Sequence, residues 1–134
     1  MIALDTNVLL YACDRADPRR QQIAIDLVAK SKEGVLLWQV ACEFVAASRK
    51  LSAQGFTALD AWNRLTELLA LLRLILPTAG VLERGRALHA THGVSFWDAM
   101  ILAACAEAGV EILYSEDVPG LLTLGVPHVV NPFK

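Results

Sequence analysis

The stretch "MIALDTNVLLYACD", residues 1–14, sets the reading of the fold. A run of strand-forming apolar residues breaks on Asp5, continues through Thr6 and Asn7, and returns at once to Val8, Leu9 and Leu10. A surface loop normally carries more polar residues than these, so the chain must turn here without leaving the protein. Residues 2–4 read as a short buried strand. Asp5 then follows its carboxyl end, where open parallel sheets bind ligands. An acid at that point also serves as a turn or N-cap residue for the segment beginning at Val8.

The same alternation of buried strand and helix runs along the chain. Residues 17–34 predict a helix with Asp17 as N-cap, Pro18 in its first turn and Gly34 past its end. "VLLW" (35–38) follows as a second strand, residues 39–51 as an apolar helix, 57–72 as another helix, and "RLIL" (73–76) as a third strand. Residues 78–92 are expected to be helical up to Gly93. Ser95 then caps a long helix ending at Gly109, "EILY" (111–114) is a strand, a loop follows, and "HVV" (128–130) is the last strand. Continuously apolar strands separated by helices predict a parallel sheet covered on both faces. No repeat or linker divides the sequence, which predicts a single domain over residues 1–134.

Composition narrows the function classes. The hydrophobic fraction is 55% and the charged fraction 19%, which predicts a surface partly buried against a partner, a second copy or another chain. A net charge of −2 argues against a basic, backbone-neutralising nucleic-acid binder, but a site that holds its substrate through metal ions needs no such excess. Cys13, Cys42 and Cys105 show no CxxC spacing and read as small buried hydrophobes in a reducing compartment. Asp5 interrupts any secretory core and no apolar stretch is long enough to span a bilayer, so a cytoplasmic protein without a membrane is expected.

Most carboxylates have a base one helical turn away: Asp26 has Lys30, Asp60 and Glu67 have Arg64, and Glu83 has Arg86. Glu43 has none. It is surrounded by "VAC" and "FVAA", where an ionised carboxylate needs a distant base such as Arg49 or Arg73, or a cation. Asp98, in "VSFWDAMILAA", has apolar helical neighbours, although its spacing from Ser95 matches a capping box. Glu116 and Asp117, in "YSEDVPG", follow a strand directly and also fit plain loop acids. The predicted fold gathers these acids on one rim, where each close pair repels by about 4 kcal/mol at an effective dielectric of about 20. Oxygen ligands without His or Cys favour Mg²⁺ or Mn²⁺ over zinc.

Taken together, "ALDTNVLLYA", "VACEF", "SFWDAMILAAC" and "LYSEDV" resemble the acidic motifs of the PIN domain family, and more narrowly its VapC-type toxins. The similarity runs from Ile2 to "VVNPF" near the end of the sequence. The resemblance implies a three-layer α/β/α fold with a central parallel sheet, a homodimer, and a Mg²⁺- or Mn²⁺-dependent endonuclease, a hydrolase of RNA phosphodiester bonds. It implies Asp5, Glu43, Asp98 and Asp117 as metal-binding catalytic acids, with Thr6, Asn7 and Ser115 in support. Glu116 departs from the motif and could share or replace the role of Asp117, so both stand as the fourth acid. The resemblance further implies an antitoxin partner of VapB type.

Arg15, Arg19, Arg20, Arg49 and Lys50 are candidates for the RNA phosphates. His89 and His92 lie on or just after a polar helix and are expected to be solvated or to touch RNA rather than act as a base. The alternatives are a PIN-fold RNA-processing nuclease, an inactive RNA-binding PIN domain, and a receiver-type Mg²⁺-binding signalling domain. The last needs a lysine placed after a strand, and Lys30, Lys32, Lys50 and Lys134 are not so placed.

Overall fold

The computed structural model describes residues 1–120 and 127–134. Its strands are β1 (Ile2–Leu4), β2 (Val35–Leu37), β3 (Arg73–Ile75), β4 (Ile112–Tyr114) and β5 (His128–Val130). Its helices are α1 (Thr6–Tyr11), α2 (Pro18–Ala29), α3 (Trp38–Ala47), α4 (Ala58–Leu71), α5 (Ala79–Arg86) and α6 (Phe96–Ala108). The five strands form one parallel sheet in the order β3-β2-β1-β4-β5.

That order fixes the layers. Crossovers between parallel strands are almost always right-handed, so stepping outward from β1 to β2 to β3 keeps α1–α4 on one face. The return to β4, on the other side of β1, puts α5 and α6 on the opposite face. Consistent with this, α5 packs on α6, while α1 packs on α2 and α3, and α3 on α4. The expected three-layer α/β/α architecture is what forms. The direction in which strands are added reverses at β1, with β2 on one side and β4 on the other, which makes a crevice at the carboxyl ends of β1 and β4.

The core lies between the layers. Leu4, Leu36, Leu37 and Leu113 from the sheet meet Val8, Val40 and Phe44 from the helices, all at most 1% exposed. Residues 99–103 of α6 are buried in unbroken succession, because that helix is covered by the sheet on one side and by α5 on the other.

Several expectations need correction. Asp5 caps a helix that begins at Thr6, two residues before the Val8 start expected, and burial of Val8 and Leu9 holds it against the core. The helix beginning at Pro18 stops at Ala29, where the buried Ser31 hydroxyl donates back to the Leu27 carbonyl at 2.6 Å. Gly34 therefore lies in a turn leading into β2. Trp38 opens α3 instead of closing β2, and α3 ends at Ala47, where Ser48 donates to the Val45 carbonyl and the chain tightens into a 3₁₀ segment. β3 is an edge strand left partly open to solvent. The helix over 78–92 ends in a π-helical turn, Ala87–Thr91. The loop expected before β5 falls partly on residues 121–126, outside the described residues.

Of the anticipated helix-face ion pairs, Arg64–Glu67 forms at 3.5 Å. Asp60 instead completes a capping box with Thr57, Asp26 accepts from Gln22, and Arg84 pairs with Glu107 across to α6. Cys42 is exposed, against expectation. Cys105 is buried, with its thiol pushed up to about 12 by burial and by nearby Asp5.

Candidate active site

Asp5 leaves β1 with its N–H still bonded to the Tyr114 carbonyl at 2.9 Å, so it belongs to the rigid end of the β1–β4 ladder. Its Oδ1 accepts the Thr6 N–H at 2.7 Å, capping α1, and its Oδ2 accepts the Ser115 hydroxyl at 2.7 Å. Asp5 is 5% exposed. Burial pushes its pKa above the ordinary carboxylate value; the bonds from Ser115 and Thr6 oppose the rise, and the negative charges of Glu43 and Asp98 add to it. The capping role is therefore real, and it coexists with an uncompensated acidic neighbourhood.

Glu43 reaches the same crevice from α3. Its Oε1 accepts from Gln39 Nε2 at 2.6 Å and its Oε2 from Thr6 Oγ1 at 3.2 Å. The long-range salt bridge that would have explained Glu43 does not form, since none of the ion pairs among the described residues includes it. Gln39 also donates to the Trp97 carbonyl at 3.2 Å, tying α3 to the start of α6 beside Asp98. Asp98 is half-buried in the first turn of α6. Ser95 makes no side-chain cap bond there, so the capping box that would have employed Asp98 is not built.

The loop after β4 supplies the remaining acids. Ser115, buried below Asp5, accepts the N–H groups of Asp117 at 3.2 Å and Val118 at 3.1 Å while donating to Asp5. Asn7 donates to Asp117 Oδ2 at 3.3 Å and to Ser115 Oγ at 3.4 Å, and its Oδ1 accepts the Glu116 N–H at 3.3 Å. The two adjacent acids diverge. Asp117 is exposed on the Asn7 side, whereas Glu116 turns away to Arg20 Nε at 3.1 Å and the Tyr11 hydroxyl at 3.2 Å.

Thr6, Asn7 and Ser115 thus sit among the acids that the sequence singled out. Gln39, Arg20 and Tyr11 hold acids too, and sequence reasoning gave them no such role. Gln39 was legible as the residue one turn before Glu43; the Arg20 and Tyr11 contacts to Glu116 span 96 and 105 positions and leave no local signal. Arg20 is committed to Asp17 and Glu116, Arg15 to Gln54, and Arg19 to the Phe133 carbonyl. Arg49 and Lys50 stay exposed. His89 is bound to the Val94 carbonyl at 2.8 Å.

The donor set is oxygen only, which suits a hard divalent cation. As the side chains stand, among the described residues no three Asp, Glu, His or Cys groups are close enough to share one ion. The oxygens of Asp5 and Glu43 accept from Thr6, Ser115 and Gln39, and each oxygen keeps a second lone pair that a cation could use.

The model of the PIN domain family matches residues 2–118 of the chain. Among solved structures, a chain of a toxin-antitoxin complex from Klebsiella pneumoniae superposes with a TM-score of 0.68 at 21% identity, covering 98% of each chain. Mycobacterium tuberculosis VapC20, a Sarcin-Ricin loop cleaving toxin, superposes with a TM-score of 0.67 at 23% identity, covering 87% of this chain and 90% of its own. At these identities the likeness is one of fold. No curated protein matches the chain in sequence.

Proposed function

The chain belongs to the PIN domain family, and from that premise we propose that it is a metal-dependent endoribonuclease, the toxin of a VapBC-type toxin–antitoxin pair. One observation carries the reading. Glu43 and Asp98 add to the cost of ionising buried Asp5 at the switch point of the sheet, and neither of them has a basic partner among the described residues. Acids arranged only for stability would be paired or solvated.

Asp5, Glu43, Asp98 and Asp117 are the residues that would hold Mg²⁺ or Mn²⁺. The ion supplies activation of water and neutralisation of charge at the scissile phosphate. The chain's own side chains do the aiming. Thr6 and Ser115 fix the two oxygens of Asp5, Thr6 and Gln39 fix those of Glu43, and Asn7 directs Asp117. Glu116 is spoken for by Arg20 and Tyr11, which favours Asp117 as the fourth acid. Exposed Arg49 and Lys50 are available to RNA phosphates.

The partners proposed are the RNA substrate, a VapB-type antitoxin and a second copy of the chain. Exposed Trp38, Leu76, Leu82, Phe96 and Trp97, which line an apolar groove of about 520 Å³, support a protein partner. The proposed location is the cytoplasm; among the described residues no helix is long and apolar enough to cross a membrane. A short antitoxin-like reading frame immediately upstream favours the toxin role, and its absence favours RNA processing. Chelation tests the metal: EDTA should abolish RNA cleavage and Mn²⁺ restore it, whereas cleavage indifferent to EDTA contradicts the reading.

A further inference from the structure

Outside the acidic crevice, Arg20 is tied to two carboxylates and two aromatic rings. Its Nη1 lies 3.1 Å from Asp17 Oδ2 and its Nε 3.1 Å from Glu116 Oε2. Its guanidinium carbon stands 5.5 Å from the Tyr11 ring centroid and 5.9 Å from that of Phe133, within cation–π reach. The two rings meet edge to face with centroids 4.9 Å apart, and the Phe133 carbonyl accepts from neighbouring Arg19. Asp17 also caps α2. The start of α2 and the end of α1 therefore converge on one carboxylate, that of Glu116, with Phe133 packed against both Arg20 and Tyr11.

Glu116 precedes Asp117 in the segment directly after β4, which is gripped from the other side as well. Asn7 accepts the Glu116 N–H and donates to the Asp117 carboxylate, and Ser115 accepts the Asp117 N–H. With Asn7 and Ser115 on the inner side and Arg20 and Tyr11 on the outer, the loop cannot rotate without breaking several bonds.

We propose that Arg20 and Tyr11 are positioning residues for the nuclease site: by holding the Glu116 carboxylate outward they leave the Asp117 carboxylate against Asn7 and so tune the affinity for the divalent ion. The proposal rests on the nuclease reading above. Arg20 suits the role because its planar fork reaches two carboxylates at once while its face lies against the rings, which a lysine cannot reproduce.

The test is calorimetric titration of Mn²⁺ into the full metal-free chain, with RNA cleavage at saturating Mn²⁺ measured in parallel. Arg20→Met and Glu116→Gln should each weaken Mn²⁺ binding by about tenfold, the usual size for loss of a residue that orients a ligand. Cleavage at saturating Mn²⁺ should stay within about threefold of wild type in Arg20→Met, because no ligand has been removed. Arg20→Lys should fall between wild type and Arg20→Met. If Arg20→Met does not fold, Glu116→Gln and Tyr11→Phe, which keeps the ring and loses the hydroxyl bond, carry the test.

Unchanged Mn²⁺ affinity in these variants, beside a wild type that binds, overturns the proposal alone. Loss of all binding in Glu116→Gln with unchanged or tighter binding in Arg20→Met also overturns it, since Glu116 would then be a ligand that Arg20 restrains. A wild type that binds no Mn²⁺ overturns the nuclease reading and this proposal with it.

Discussion

At the scale of the residue, Asp5 carries two roles that pull in opposite directions. It caps α1 and anchors Ser115, yet burial and the acids around it disfavour its charge. Its pKa is raised on folding, so the native state binds the proton more tightly than the unfolded chain. Stability of the metal-free protein should accordingly fall as pH rises from the unfolded value of 3.8 through the raised folded value. Asp5→Asn removes the titrating carboxylate, so without metal its Tm should fall less than that of wild type as pH rises through that window. Added Mn²⁺ should raise the Tm of wild type more than that of the variant. Thermal melts across pH check this, and a variant whose Tm falls as steeply as that of wild type contradicts it.

At the scale of the element, tight contacts near the sheet set what can change. A Cβ on Gly34 would lie 2.9 Å from the Ser31 carbonyl oxygen and 3.2 Å from Leu72 Cδ2, at the turn that feeds β2. Gly34→Ala should therefore cost about 1–3 kcal/mol in urea unfolding, and a neutral result would show that the turn can shift. The elements themselves were largely legible: Asp17 and Pro18 marked the start of α2, Gly109 the end of α6, and apolar "HVV" coincided with β5. What failed did so where tertiary contacts outweighed local pattern. Ser95 and Asp98 had capping-box spacing, but the Ser95 side chain makes no cap bond. Glu43 and Asp98 stood out because they lacked a base one turn away, a test that needs only the sequence. The outward hold on Glu116 did not, because its partners are brought together by the fold alone.

At the scale of the molecule, the sheet order supplies a crevice and the acids converge on it, while an apolar face around Trp38, Phe96 and Trp97 is left open. Trp97 is 64% exposed and Leu82 65% exposed, an expensive arrangement for a monomer in water. Light scattering on the purified chain should therefore report about twice the 14.6 kDa of one copy; a mass of one copy at micromolar concentration contradicts the homodimer. The central claim is that the converging carboxylates make a metal-dependent ribonuclease. Its most direct test is cleavage of a structured RNA with Mn²⁺ by the chain purified free of any partner, beside Asp5→Asn and Asp98→Asn. The account predicts cleavage by wild type and rates lower by about a hundredfold or more in each variant; equal rates in all three would contradict it.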